Sequence, residues 1–173
     1  MKKYSTILFD LDGTLTDSSQ GIINSIIYAL KKYDINDYDM TLLRKFLGPP
    51  LHESFEKFFG FDKEKSLQAV KYYREYFSTK GLLENEVYCG ITDLLQNLKE
   101  NGKTLIVATS KPQPFTDRIM VHFDLEKNFD FIAGSNMDTT RSKKAEVIEY
   151  ALSECNIIDK SSVIMVGDRA EDM

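Results

Sequence analysis

The chain has 173 residues, of which 42% are hydrophobic and 28% charged, and it carries a formal net charge of −5. That is enough apolar material for one core, or for a core plus a small accessory module. The mildly acidic balance excludes a general electrostatic field for nucleic acid or an anionic membrane, so an anionic ligand must be met by local features.

In chain order, the first predicted element is a strand over Thr6-Ile7-Leu8-Phe9-Asp10-Leu11-Asp12. A short run that is apolar on both sides fits a strand buried in a parallel sheet. The run is too short and too acidic for a signal peptide, and no apolar run in the sequence is long enough to span a bilayer. From about Ser18 to Leu83 no strand-like run occurs. Ile22, Ile23, Ile26, Ile27 and Leu30 form one helical stripe, Phe55, Phe58 and Phe59 a second, and Val70, Tyr73 and Phe77 a third. These stripes are read as the core of a helical module. Leu47-Gly48-Pro49-Pro50-Leu51 breaks its helices.

After this module the rhythm changes to alternating helices and strands. A helix over Ile91 to Lys99 closes at Asn101-Gly102. Strands follow at Thr104–Ser110, Phe129–Ser135 and Ser162–Asp168, separated by helices from Pro112 toward Phe123 and from about Ser142 to Cys155. Ala145, Val147, Ile148, Ala151 and Leu152 are taken as the apolar side of the last helix. The predicted fold class is therefore α/β, a Rossmann-like parallel sheet with helices on both faces and an inserted α-helical domain. Residues 1–16 and 85–173 are assigned to the sheet and residues 17–84 to the insert. Cys89 and Cys155 are far apart and form no CxxC pair, which fits a reducing compartment and a cytoplasmic protein.

Ligands of an open parallel sheet bind beyond the carboxyl ends of its strands. There the first strand carries Asp10 and Asp12, followed by Gly13-Thr14. Two carboxylates at one mouth repel each other unless a cation or a shared proton relieves them, and oxygen ligands of this kind suit Mg²⁺. The pair also reads as a turn signal, so the other strand ends decide. The next strand ends in Thr109-Ser110-Lys111-Pro112, where a hydroxyl beside free backbone N–H groups can bind a phosphate oxygen or cap a helix. Lys143-Lys144 opens the following helix, against its macrodipole, which an anion nearby would explain. The last strand ends in Gly167-Asp168-Arg169-Ala170-Glu171-Asp172.

These four strand ends, in this order, resemble the haloacid dehalogenase superfamily of phosphohydrolases. Phe9-Asp10-Leu11-Asp12-Gly13-Thr14-Leu15-Thr16-Asp17-Ser18 resembles its first motif, Thr109 its second, Lys144 its third, and Gly167 through Asp172 its fourth. The insert resembles the family's helical cap, and Leu47 through Leu51 either its specificity loop or a plain helix break. Tyr88-Cys89-Gly90-Ile91 and Ala108-Thr109-Ser110-Lys111-Pro112 resemble the phosphoglycolate phosphatase-like branch, some of whose bacterial members are 5′-nucleotidases. Cys89 stands where that branch has proline, and the family pattern continues through one more helix and strand after Met173.

The resemblance implies Asp10 as nucleophile and Asp12 as general acid and base. It implies Thr109, Ser110 and Lys144 as phosphate ligands, with Lys143 the rival to Lys144. Mg²⁺ would be held by Asp10, Asp12 (through its backbone carbonyl) and Asp168, with Asp172 in the outer shell. The backbone N–H groups of Leu11, Asp12 and Ser110 are further candidate donors. The implied partner is a small phosphate ester such as phosphoglycolate, a nucleotide or a sugar phosphate, with no nucleic acid or membrane; the oligomeric state is left open. A sugar phosphomutase would use the same residues. A phospho-receiver module also has an acidic pocket with Thr and Lys, but Asp-x-Asp-Gly-Thr and the helical insert do not suit one.

Overall fold

The computed structural model describes residues 4–138 and 140–172, Glu171 by its backbone alone. In chain order the first strands are β1 (Thr6–Phe9) and β2 (Thr16–Asp17). Helices α1 (Ser19–Lys31), α2 (Met40–Arg44), α3 (Leu51–Phe59) and α4 (Lys63–Tyr76) follow, and α4 ends in a π-turn over Phe77–Gly81. Next come β3 (Glu86–Val87), α5 (Ile91–Glu100), β4 (Thr104–Pro112), α6 (Gln113–His122), β5 (Phe131–Ser135), α7 (Lys144–Glu154) and β6 (Val163–Val166). The chain divides into two compact units, Met1–Asp17 with Glu86–Met173, and Ser18–Asn85. Among the described residues, no helix is long and apolar enough to cross a membrane.

In the first unit the sheet order is β5-β4-β1-β6, with every pairing parallel. Side chains alternate across a strand, so β1 supplies both faces. Leu8 joins Ile106, Ala108 and Ala133 in a cluster with Val147, Ala151 and Leu152 of α7. The alternate residues Ile7, Phe9, Leu105 and Val107 are also buried, as both-face apolar runs require. Each fully buried Leu or Ile contributes about 1.5–3 kcal/mol. Where the chain leaves and re-enters this unit, β2 and β3 pair antiparallel, Thr16 opposite Val87 and Asp17 opposite Glu86.

The strands differ from the sequence-based expectation in ways that matter for the site. β1 stops at Phe9, before the acids: the Asp10 N–H still bonds the Val166 carbonyl at 2.9 Å, but the Leu11 carbonyl accepts from the N–H groups of Leu15 and Thr16 instead of joining a ladder. β4 runs on through Pro112, because its register against β5 jumps from Ala108↔Ala133 to Pro112↔Ser135. The strand bulges between those pairs, over Thr109, Ser110 and Lys111, and bulges re-aim side chains.

In the second unit α1 buries Ile23, Ile26, Ala29 and Leu30. A Cβ on Gly21 would lie 1.9 Å from the Gly81 carbonyl oxygen, so α1 approaches the π-turn as closely as two backbones allow. Phe46, Phe55 and Phe61 form an aromatic core, with Phe46–Phe55 centroids 5.1 Å apart and Phe55 stacked on Phe61 at 5.8 Å. The aromatic stripes are packing residues.

Candidate active site

Asp10, Thr109, Lys144, Asp168 and Asp172 come together at the carboxyl edge of the sheet. Asp10 follows β1 directly and is buried. Its Oδ1 accepts from the Leu11 N–H at 2.7 Å, and its Oδ2 pairs with Lys144 Nζ at 2.7 Å. The Leu11 N–H, expected as a donor to phosphate, is thus already engaged by Asp10. Burial pushes the Asp10 carboxyl above the ordinary aspartate range; the Lys144 ammonium, the Thr109 hydroxyl and the Leu11 N–H pull it back down.

Lys144 enters from the first turn of α7. Its buried ammonium meets Asp10, the Ala108 carbonyl at 3.1 Å, and Asp172 Oδ1 at 2.8 Å. The Asp172 contact is an ion pair by distance but is not aligned as a hydrogen bond. Lys143 is exposed at the helix N-cap, where its N–H donates to Glu146 Oε2. Ala145, expected on the apolar side of this helix, is exposed, and Lys144 takes the inward place with Val147 and Ala151. Residues i, i+3 and i+7 share a helix face, so this phase was the sequence signal that separates the two lysines.

Carboxylate oxygens of Asp10, Asp168 and Asp172 lie within 4.8 Å of one another. Asp172 also accepts from the Arg169 N–H at 3.1 Å. Two glycines make room for the cluster. A Cβ on Gly167 would fall 2.0 Å from Asp172 Oδ2, and one on Gly13 would fall 2.4 Å from Asp168 Oδ2. Gly13 also has φ +80°, where side chains are strained. Gly13→Ala should therefore cost about 1–2 kcal/mol in backbone strain alone, with a further loss from displacing Asp168. Urea denaturation checks this; an unchanged midpoint would contradict it.

Asp12 points elsewhere. Its Oδ2 pairs with Lys111 Nζ at 2.9 Å, and its Oδ1 is buried with no hydrogen-bond partner among the described residues. Asp12 contributes no carboxylate to the three-acid cluster. Ser110, between Thr109 and Lys111, is exposed. Nothing in the sequence singles out Lys111; its side chain is 6% exposed, and only the bulge that turns it toward Asp12 reveals it.

The cluster fits a divalent cation. Three carboxylates converge, and Lys144 is the one cation paired with them among the described residues, leaving two negative charges uncompensated. The donors are all hard oxygens, the set that Mg²⁺ prefers. One of the three, Asp10, is buried and is held by a hydroxyl and an ammonium, and these are the groups that phosphoryl transfer needs.

A family model described as haloacid dehalogenase-like hydrolase matches residues 7–173. A 5′-nucleotidase from Pseudomonas aeruginosa is 43% identical over 171 residues, covering 99% of this chain and 77% of that protein. The tyrosine-protein kinase PtkA of Mycobacterium tuberculosis is 38% identical over 167 residues, covering 96% of this chain and 56% of the kinase. Among solved structures, a predicted phosphatase from Clostridium acetobutylicum superposes with a TM-score of 0.88 at 49% identity, covering 98% of this chain and 78% of that one.

Proposed function

We propose that this chain, which belongs to the haloacid dehalogenase-like hydrolase family, is a phosphatase that hydrolyses a small phosphate monoester on the carboxylate of Asp10. The observation that carries the reading is a buried carboxylate, Asp10, held by an ammonium and a hydroxyl within a three-acid cluster that its one ammonium leaves two negative charges short of neutral. The family relatives named 5′-nucleotidase and phosphatase support it. The kinase name concerns a protein of which this chain spans little more than half.

Asp10 attacks phosphorus in line. The bond to the ester oxygen breaks, its electron pair leaves on that oxygen, and Asp12 supplies the proton. Water then attacks phosphorus, Asp12 takes a proton from it, and the bond from phosphorus to the Asp10 oxygen breaks with its electron pair returning to that carboxylate, which frees inorganic phosphate and restores both aspartates. Lys144 and Thr109 bind the non-bridging oxygens and fix Asp10. Ser110, at the exposed crest of the bulge, adds a donor from its backbone N–H. Asp10, Asp168 and the Asp12 carbonyl would hold Mg²⁺, with Asp172 beside them. When bound, the ion screens the charge between carboxylate and phosphate and stabilises the transferring group.

The test is inorganic phosphate release from nucleoside 5′-monophosphates, phosphoglycolate and sugar phosphates. After chelation, release should fall at least about 100-fold, as loss of several kcal/mol of charge stabilisation requires, and added Mg²⁺ should restore it. Release that survives chelation would remove the metal from the reading. No release from any ester, with an intact fold, would remove the phosphatase.

A further inference from the structure

We propose that Lys111 is a positioning residue for Asp12, pinning its carboxyl so that it can serve the leaving oxygen. The inference rests on the reading of Asp12 as general acid, and it assigns work to a residue outside the nucleophile and the acidic cluster.

Lys111 is unusual for a lysine near a strand end. Its side chain is almost wholly buried, and its ammonium is 2.9 Å from Asp12 Oδ2 while the Asp12 side chain remains 31% exposed. Lysine is among the residues least often buried unless it has a partner. A surface lysine paired with a half-open aspartate would gain little, but a buried one fixes its partner's direction.

The surrounding backbone is built to put it there. The bulge in β4 lies between Ala108 and Pro112. Lys111 N–H donates to Thr109 Oγ1 at 3.3 Å, and the Thr116 hydroxyl donates to the Lys111 carbonyl at 3.3 Å. Gly134 N–H donates to Gln113 Oε1 at 2.6 Å. A Cβ on Gly134 would lie 2.8 Å from the Lys111 carbonyl oxygen and 2.7 Å from Gln113 Cα, so the neighbouring strand leaves a slot that the bulge fills. The same bulge therefore carries Thr109 to Asp10 and Lys111 to Asp12.

Asp12 needs such a support. It sits in a turn after β1, not on the strand, and its buried Oδ1 has no hydrogen-bond partner among the described residues. Lys111 gives Oδ2 a fixed anchor. As the phosphorus–oxygen bond breaks, the electron pair goes to the ester oxygen and the proton moves to it from Asp12. A carboxyl free to turn would meet that oxygen less often, and misplacement by about 1 Å can cost on the order of 100-fold.

The test compares kcat/KM for an alkyl phosphate, whose leaving oxygen needs a proton, with p-nitrophenyl phosphate, whose leaving group does not. Lys111→Met should lose about 10- to 100-fold on the alkyl ester and less than about 3-fold on the aryl ester, since a stable phenolate forgoes general-acid help. Lys111→Arg should recover part of the alkyl activity. Lys111→Gln, which keeps a polar group in the slot, serves the same comparison if the methionine variant does not fold. Asp12→Asn should show the same bias more strongly, and adding Lys111→Met to it should cost little more.

Equal losses on both esters would overturn the proposal and make Lys111 a structural or phosphate-binding residue. So would an undiminished Lys111→Met loss in the Asp12→Asn background, which would mean that Lys111 acts on the substrate directly. An Asp12→Asn variant with no leaving-group bias would overturn the acid role of Asp12 and this proposal with it. A biased Asp12→Asn beside an unbiased Lys111→Met would overturn only the role of Lys111.

Discussion

Asp10→Asn should abolish phosphate release, by roughly 10⁴- to 10⁶-fold as when other enzymes lose their nucleophile, and yet leave a metal-free protein that melts higher than the original. The amide keeps the shape of the carboxyl but cannot form the acyl phosphate. The stability gain follows from the titration of Asp10. Burial raises its folded pKa above the unfolded value, and Lys144, Thr109 and Leu11 only partly offset this. Stability from such a group is fully present below the unfolded value of about 3.9 and is lost as pH rises through the folded value. Removing the carboxyl removes that loss, so the gain should appear near neutral pH and vanish in acid. Thermal melts in chelator across this range, beside turnover with Mg²⁺, check both halves. A variant that keeps activity would end the nucleophile assignment. One that melts lower at neutral pH would show that Lys144 outweighs burial.

The parallel sheet was legible because its strands are apolar on both faces, and the strand ends then pointed to Asp10, Thr109, Lys144 and Asp168. What could not be read were features set by geometry between elements. The bulge after Ala108 arises from a register jump against β5, and without it Lys111 looks like an ordinary solvated lysine ahead of a proline. The direct pairing of Asp172 with Lys144 depends on a turn that Gly167 makes possible. Helix α2 carries only Leu43 as a buried residue, too little for a stripe. The choice between Lys143 and Lys144, by contrast, was available from the spacing to Val147 and Ala151. A lysine on an otherwise apolar stripe is easily passed over, because periodicity is read from apolar residues alone.

Lys144→Met tests the other half of the site, and the expected outcome is a protein weakened before it is slowed. The ammonium is buried and is the only cation paired with Asp10 and Asp172 among the described residues. Methionine fills the space but leaves both carboxylates uncompensated, and breaking a buried pair from one side costs about 3–5 kcal/mol. Loss of Lys144 also removes the strongest influence holding the Asp10 carboxyl down, so its folded pKa climbs further. By the same sign rule, the destabilisation should be largest well above that value and shrink as acid protonates the carboxyl. Added Mg²⁺ should restore part of the stability, because a divalent cation in the acidic cluster would supply the missing charge, but it should not restore turnover, since the ammonium proposed to bind the phosphate is gone. Urea denaturation in chelator and in Mg²⁺, at mildly acid and mildly alkaline pH, separates these effects. A variant as stable as the original in chelator at alkaline pH would mean that solvent, not Lys144, compensates the carboxylates. A variant whose turnover recovers fully with Mg²⁺ would reduce Lys144 to a structural counter-charge.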